Sequence, residues 1–124
     1  MKGSSPIRKA ALTSRKIALS VAEFVSEKKA EDIVILDMRK LVNFCDFFVI
    51  CSGNSDRQVK ALAQTVDEGL ESFGIKANYD RTDKRPAWVV FDVGDVVVHI
   101  FRKDMREFYK LESLWQEAKR VSWE

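Results

Sequence analysis

The chain has 124 residues, 46% apolar and 32% charged, a balance that fits one ordinary globular domain and rules out an intrinsically disordered chain. Twenty-one basic residues against nineteen acidic leave a net charge of only +2, too little for broad coating of nucleic acid. No apolar run approaches the ~20 residues that span a bilayer. The start, Met-Lys-Gly-Ser-Ser-Pro, lacks the apolar segment of a secretory signal, so the default location is cytoplasmic.

Residues 1–12 read as a flexible basic tail. Residues 1–30 hold seven Lys/Arg against Glu23 and Glu27, a bias that could favour an RNA-rich neighbourhood but more often marks a solvated tail and helix face. From Thr13 a helix is expected, with Ile17, Val21, Phe24 and Val25 forming one apolar stripe. It ends near Lys28 and Lys29, cations suited to the negative end of the helix dipole. Ile33 to Leu36, bracketed by Asp32 and Asp37, is short and β-branched and predicts a strand. After a polar bend from Arg39 to Asn43, Phe47 to Cys51 predicts a second, buried strand.

Ser52-Gly53-Asn54-Ser55 is expected to break that strand. Ser55 to Gln58 has the form of a capping box, in which Ser55 accepts from the N3 amide and Gln58 reaches back to the cap. The helix it opens carries the clearest periodicity in the chain, Val59, Leu62, Ala63, Val66, Leu70 and Phe73, and Gly74 closes it. Ile75 to Tyr79 predicts a short edge strand, and Arg81 to Pro86 a charged loop.

Two β-rich runs follow, Trp88 to Phe91 and Val96 to Phe101, joined by Asp92-Val93-Gly94-Asp95. Gly94 can adopt the positive φ of a tight turn, so the pair reads as a hairpin. The runs are nearly continuous rather than alternating, which predicts burial in the middle of a sheet. Met105, Phe108, Tyr109, Leu111, Leu114 and Trp115 then fall at helical spacing, and Gln116 to Glu124 is expected as a fraying helical tail pinned by Val121 and Trp123. The sum is an α/β domain with a single mixed β-sheet flanked by helices. Its body spans residues 13–115, between tails at 1–12 and 116–124.

Few residues suggest chemistry. Cys45 and Cys51 flank one strand, ~20 Å apart at ~3.3 Å per residue, too far for a disulfide. With a single His they fall short of a structural zinc site. Ser52 to Ser55 sits where α/β folds bind phosphates, but it has one glycine and no P-loop lysine, and Asp56 would repel an anion. A turn plus a cap explains it. Asp92, Asp95 and His99 could suggest acid/base or metal work, but Asp95 and His99 lie ~13 Å apart along one strand, and the two aspartates more simply stabilise the turn. The aromatics are more informative. Trp88, Phe101, Phe108, Tyr109 and Trp115 alternate with Arg102, Arg106 and Glu112, a mixture that core packing and protein-docking faces share. Docking is the reading we take.

Four stretches, 32–37, 46–63, 88–101 and 106–115, resemble in order and spacing the ribosomal silencing factor family, also called Iojap. These are Asp-Ile-Val-Ile-Leu-Asp, the segment from Asp46 to Ala63, the hairpin from Trp88 to Phe101, and Arg-Glu-Phe-Tyr-Lys-Leu-Glu-Ser-Leu-Trp. The resemblance implies a nucleotidyltransferase-like fold without catalysis. It further implies docking on the large ribosomal subunit through its ribosomal protein fourteen, a block to joining of the small subunit, and a homodimer when free. Trp88, His99, Arg106, Tyr109 and Glu112 would meet the partner, with no cofactor and little direct nucleic-acid contact. The basic start, the loop from Asp80 to Pro86 without a glycine often found there, and the extension after Trp115 depart from the family pattern. The alternatives are a nucleotidyltransferase-like enzyme and an RNA-binding ribosome assembly factor. The enzyme would want an Asp-x-Asp pair for Mg²⁺, which the chain lacks; direct RNA binding predicts steep salt dependence.

Overall fold

The computed structural model describes residues 13–83, 85–110, 113 and 115–123. Among these residues eight elements follow in order: α1 (Ser14–Glu27), β1 (Glu31–Asp37), β2 (Phe47–Gly53), α2 (Asp56–Ser72), β3 (Trp88–Val93), β4 (Val96–Arg102), α3 (Lys103–Tyr109) and β5 (Lys119–Val121). The five strands form a single mixed sheet in the order β3-β4-β2-β1-β5. β2 and β4 are parallel and the other pairs antiparallel. The expected single mixed sheet with flanking helices is what forms.

Local signals set the helix ends as the residues predict. Thr13 caps α1 by accepting from the Lys16 amide. Ser55 caps α2 by accepting from the Gln58 amide at 3.1 Å. The return half of the box is displaced by one residue: the Gln58 side chain accepts from the Asn54 amide at 2.6 Å rather than from Ser55. At the other end of α2, Gly74 takes φ 77. The Ile75 and Gly74 amides then bond to the Leu70 and Glu71 carbonyls, the paired arrangement that satisfies the last carbonyls of a helix. Gly94 likewise takes φ 69 in a two-residue turn between Val93 and Val96, and its amide donates to Asp92 Oδ1.

α1 and α2 bury Ala18, Val21, Ala22 and Val25 together with Val59, Leu62, Ala63, Val66 and Leu70. These pack on one sheet face, which supplies Ile35, Phe47, Val49, Cys51, Phe91, Val98 and Ile100. Ile17 and Phe24, expected in the stripe of α1, flank its buried row and are only partly covered. The second face carries a smaller core of Leu36, Met38, Cys45, Phe48, Ile50 and Phe101.

Four expectations are corrected. The hairpin is not central: β2 occupies the middle and is buried along its whole length, while β3 is an edge strand whose exposure alternates. Ser52 and Gly53 extend β2 instead of breaking it. The segment Ile75 to Tyr79 forms no strand, only an isolated bridge between Asn78 and Asp92. The end of the chain is not a helical tail, because β5 pairs antiparallel with β1 and the Trp123 indole donates to the Ile33 carbonyl at 3.3 Å. Pairing rewards long-range contacts that no local periodicity reveals. The basic stretch 1–12 lies outside the described residues.

Candidate docking face

Strand alternation places three cross-sheet rows on the second face. Trp88 pairs with Phe101, which pairs with Ser52; Val90 pairs with His99, then Ile50, then Val34; Asp92 pairs with Val97, then Phe48, then Leu36. Neither α1 nor α2 reaches this side. The middle of it is covered by Trp115, Ala118 and Val42, and towards the β3 edge it opens. Val90, 41% exposed, and Phe44, 58% exposed, are the large exposed apolar side chains among the described residues.

Between these two lies an aromatic cluster with one polar element. Trp88 stacks on Phe101 with ring centroids 4.9 Å apart. Phe48 meets His99 edge-on at 4.6 Å and Trp115 at 6.1 Å. The Trp88 indole Nε1–H donates to His99 Nδ1 at 3.1 Å. An indole nitrogen can only donate, so Nδ1 must be the bare, accepting nitrogen and the ring proton sits on Nε2. His99 is 5% exposed, and burial pushes its pKa down to about 4. The imidazole is therefore neutral and fixed in one tautomer. Its Nδ1 is turned to the Trp88 ring and holds it at the indole nitrogen. Nε2 meets no acceptor among the described residues.

The other expected site residues are dispersed. Arg106 lies on α3 at the far end of the same face, where Nη1 donates to the Asp32 carbonyl at 2.6 Å and to Ser52 Oγ at 2.8 Å. Tyr109 closes α3; its side chain, and Glu112 altogether, lie outside the described residues. Trp88 and His99 are thus brought together, and Arg106 stands beside Ser52 at the far end of the Trp88–Phe101–Ser52 row. Reading the sequence alone misses Phe44 and Val90. Strand parity with Trp88 could have marked Val90, whereas nothing local marks Phe44, which follows the polar bend.

The acid/base and phosphate readings find no support in the geometry. Asp95 lies in the turn, where its carbonyl accepts from the Asp46 and Phe47 amides, and His99 turns to Trp88. Among the described residues no group of three His, Cys, Asp or Glu side chains could hold a metal ion. At the loop after β2, the Asn54 and Gln58 amides are already bonded. Asp56 is engaged by Arg102 at 2.6 Å, and Arg102 also holds Asp104 at 2.7 Å. Both thiols are buried: burial first, then nearby aspartates, pushes Cys45 up to about 11, and burial pushes Cys51 up to about 12.

The chain is thus an α/β domain with two helices on one sheet face and an aromatic, partly open second face. A sequence profile for the family described as "Ribosomal silencing factor during starvation" matches residues 11–124, and the chain belongs to that family. It is 40% identical over 107 residues to the ribosomal silencing factor of Bacillus subtilis, covering 86% of this chain and 91% of that one. It is also 40% identical over 102 residues to the chloroplastic protein Iojap of Zea mays, covering 82% of this chain and 44% of the longer plant protein. A crystal structure from Chromobacterium violaceum superposes with a TM-score of 0.78 at 32% identity, covering 89% of this chain and 91% of that one. The function that goes with this membership is ribosomal silencing, the work of a regulatory protein. No helix among the described residues is long and apolar enough to cross a membrane.

Proposed function

We propose that this protein docks on the large ribosomal subunit, through ribosomal protein fourteen of that subunit, and that its bulk then blocks joining of the small subunit and represses translation. It acts in the cytoplasm, is a homodimer when free, and transforms no substrate. The observation that carries the reading is the second sheet face: an apolar surface around Val90 and Phe44, beside a tryptophan held at its indole nitrogen by a buried neutral histidine. Docking faces concentrate their energy in such partly buried aromatic anchors. Trp88 is the apolar anchor, His99 fixes its orientation, and Arg106, Tyr109 and Glu112 complete the polar contacts.

The test is sedimentation of the purified protein with separated large and small subunits. Pelleting is expected with large subunits only. Trp88→Ala should weaken binding by about 2 kcal/mol, roughly 30-fold at 1.4 kcal/mol per decade. Val90→Asp changes an exposed side chain, so it should fold and still lose affinity. If both variants fold and bind large subunits as tightly as the parent chain, the docking face lies elsewhere.

A further inference from the structure

Phe44 is 58% exposed, more than Val90, and the loop that carries it is closed at both ends. Cys45, the next residue, is buried in the second core, as is Met38 at the start of the same loop. The Met38 amide donates to the Asp46 carbonyl at 2.8 Å, and the Leu41 and Val42 amides return to the Met38 carbonyl. The Asp46 amide donates to the Asp95 carbonyl at 2.6 Å, and Ser14 Oγ donates to the Asp46 carboxylate at 2.6 Å. A backbone pinned in this way holds the ring out towards solvent.

A lone exposed apolar side chain needs no explanation, but Phe44 does not stand alone. It leans on Phe48, with ring centroids 6.3 Å apart and planes tilted by 44°. Phe48 meets the His99 ring at 4.6 Å, and His99 holds the Trp88 indole. Contact by contact, the loop after β1 is joined to the aromatic cluster at β3. From β3 across β4 to β2, Asp92 is the one charged side chain in the three rows of this face, His99 being neutral. Val97, next to Phe48 in its row, is only partly covered. Val90 and Phe44 are thus two exposed points on one apolar surface, which spans about 10 Å from β3 to β2 at two strand spacings.

We propose that Phe44 is a second apolar anchor of the docking face, taken up in an apolar recess of the same ribosomal protein that covers Trp88 and Val90. The proposal rests on the docking reading above. It names a contact that family membership does not assign, because Phe44 lies between the stretches 32–37 and 46–63 that carry the resemblance. An aromatic surface so poor in charge fits the apolar centre of a protein interface, whereas a phosphate backbone asks for cations. Because the loop is already closed by its own hydrogen bonds, little backbone ordering is left to binding. Loss of the ring is therefore read mainly as faster dissociation.

The experiment measures the Kd and the dissociation rate of Phe44→Ala and Phe44→Leu on purified large subunits. Both variants should melt close to the parent chain, since the ring is mostly solvated. Phe44→Ala should weaken binding about 10-fold, through faster dissociation, and Phe44→Leu, which keeps an apolar body of similar size, should restore most of it. In parallel, a photo-crosslinking benzoylphenylalanine in place of Phe44 and, in a second sample, of Val90 should join both positions to one and the same protein of the large subunit. Unchanged affinity in a folded Phe44→Ala, or crosslinks from position 44 to ribosomal RNA or to a different ribosomal protein, overturns the assignment. So does a Phe44→Ala chain whose free dimer falls apart while large-subunit binding is unchanged, which would give the ring to a second copy of the chain. A parent chain that fails to bind large subunits, or Trp88→Ala and Val90→Asp variants that both bind as tightly as the parent, would instead sink the docking reading.

Discussion

Acid should loosen the Trp88 anchor before it unfolds anything else. His99 is the chain's one histidine, and burial lowers its pKa from 6.5 to about 4. A lowered histidine pKa means that the unfolded chain binds more protons than the folded one between those values. Stability is therefore full above pH 6.5 and falls as pH drops towards 4. Between pH 7 and pH 5 the linkage relation gives a loss of about 2 kcal/mol. The geometry explains the sign. A second proton would have to sit on Nδ1, which already accepts from the Trp88 indole at 3.1 Å, so two donors would face each other in an aromatic cluster. Asp37, Asp80 and Asp104 do not confuse the window. Hydrogen bonds from Arg39, Thr82 and Arg102 lower their pKa values below 3.8, so their contribution persists at pH 5 and is lost only in stronger acid. Urea unfolding followed by tryptophan fluorescence at pH 7, 6 and 5 measures the effect, with His99→Gln as the non-titrating reference. The parent chain should lose about 2 kcal/mol relative to the variant. Two stability curves that run parallel from pH 7 to pH 5 would refute both the buried neutral imidazole and its bond to Trp88.

Gly94→Ala should destabilise the fold by about 1 kcal/mol in thermal or urea unfolding, since φ 69 is unfavourable for an L side chain. A Cβ there would meet nothing within 4 Å, so the cost is conformational alone; a neutral result would mean the turn relaxes to another type. Cys45 and Cys51 should resist iodoacetamide at pH 8 in the folded protein and react in denaturant, as expected for buried thiols raised to about 11 and about 12. Alkylation of the native chain at the rate of a free thiol, followed by mass spectrometry, would contradict the packing of both.

Local rules make much of the fold legible. The caps at Thr13 and Ser55, the glycine stop at Gly74 and the hairpin turn at Gly94 depend on residues within a few positions of one another, and each is where its chemistry requires. The errors arise where sheet order decides. Apolar runs look alike in an edge strand and a central one, so those starting at Trp88 and at Val96 lead to one expectation for two environments. β4 is interior and β3 is an edge. Lys119 to Val121 carries no strong strand signal of its own and becomes β5 only because β1 offers an unpaired edge.

The proposed docking face is legible in its components and illegible in its assembly, for a reason that bears on how it would work. Composition marks Trp88 and His99, yet only the β3–β4 register, through Val90 and Phe101, sets the indole within reach of the imidazole. An unrestrained tryptophan at a surface loses rotamer freedom on binding, at about 0.5 to 1.5 kcal/mol for an immobilised side chain. Trp88 is already stacked on Phe101 and bonded to a histidine whose tautomer has no alternative. Most of that ordering is therefore complete before a partner arrives, and the folding of the sheet has supplied it. A more mobile anchor of equal area would bind more weakly. If the proposed docking holds, the His99–Trp88 bond ties the affinity of this surface to the integrity of the fold beneath it.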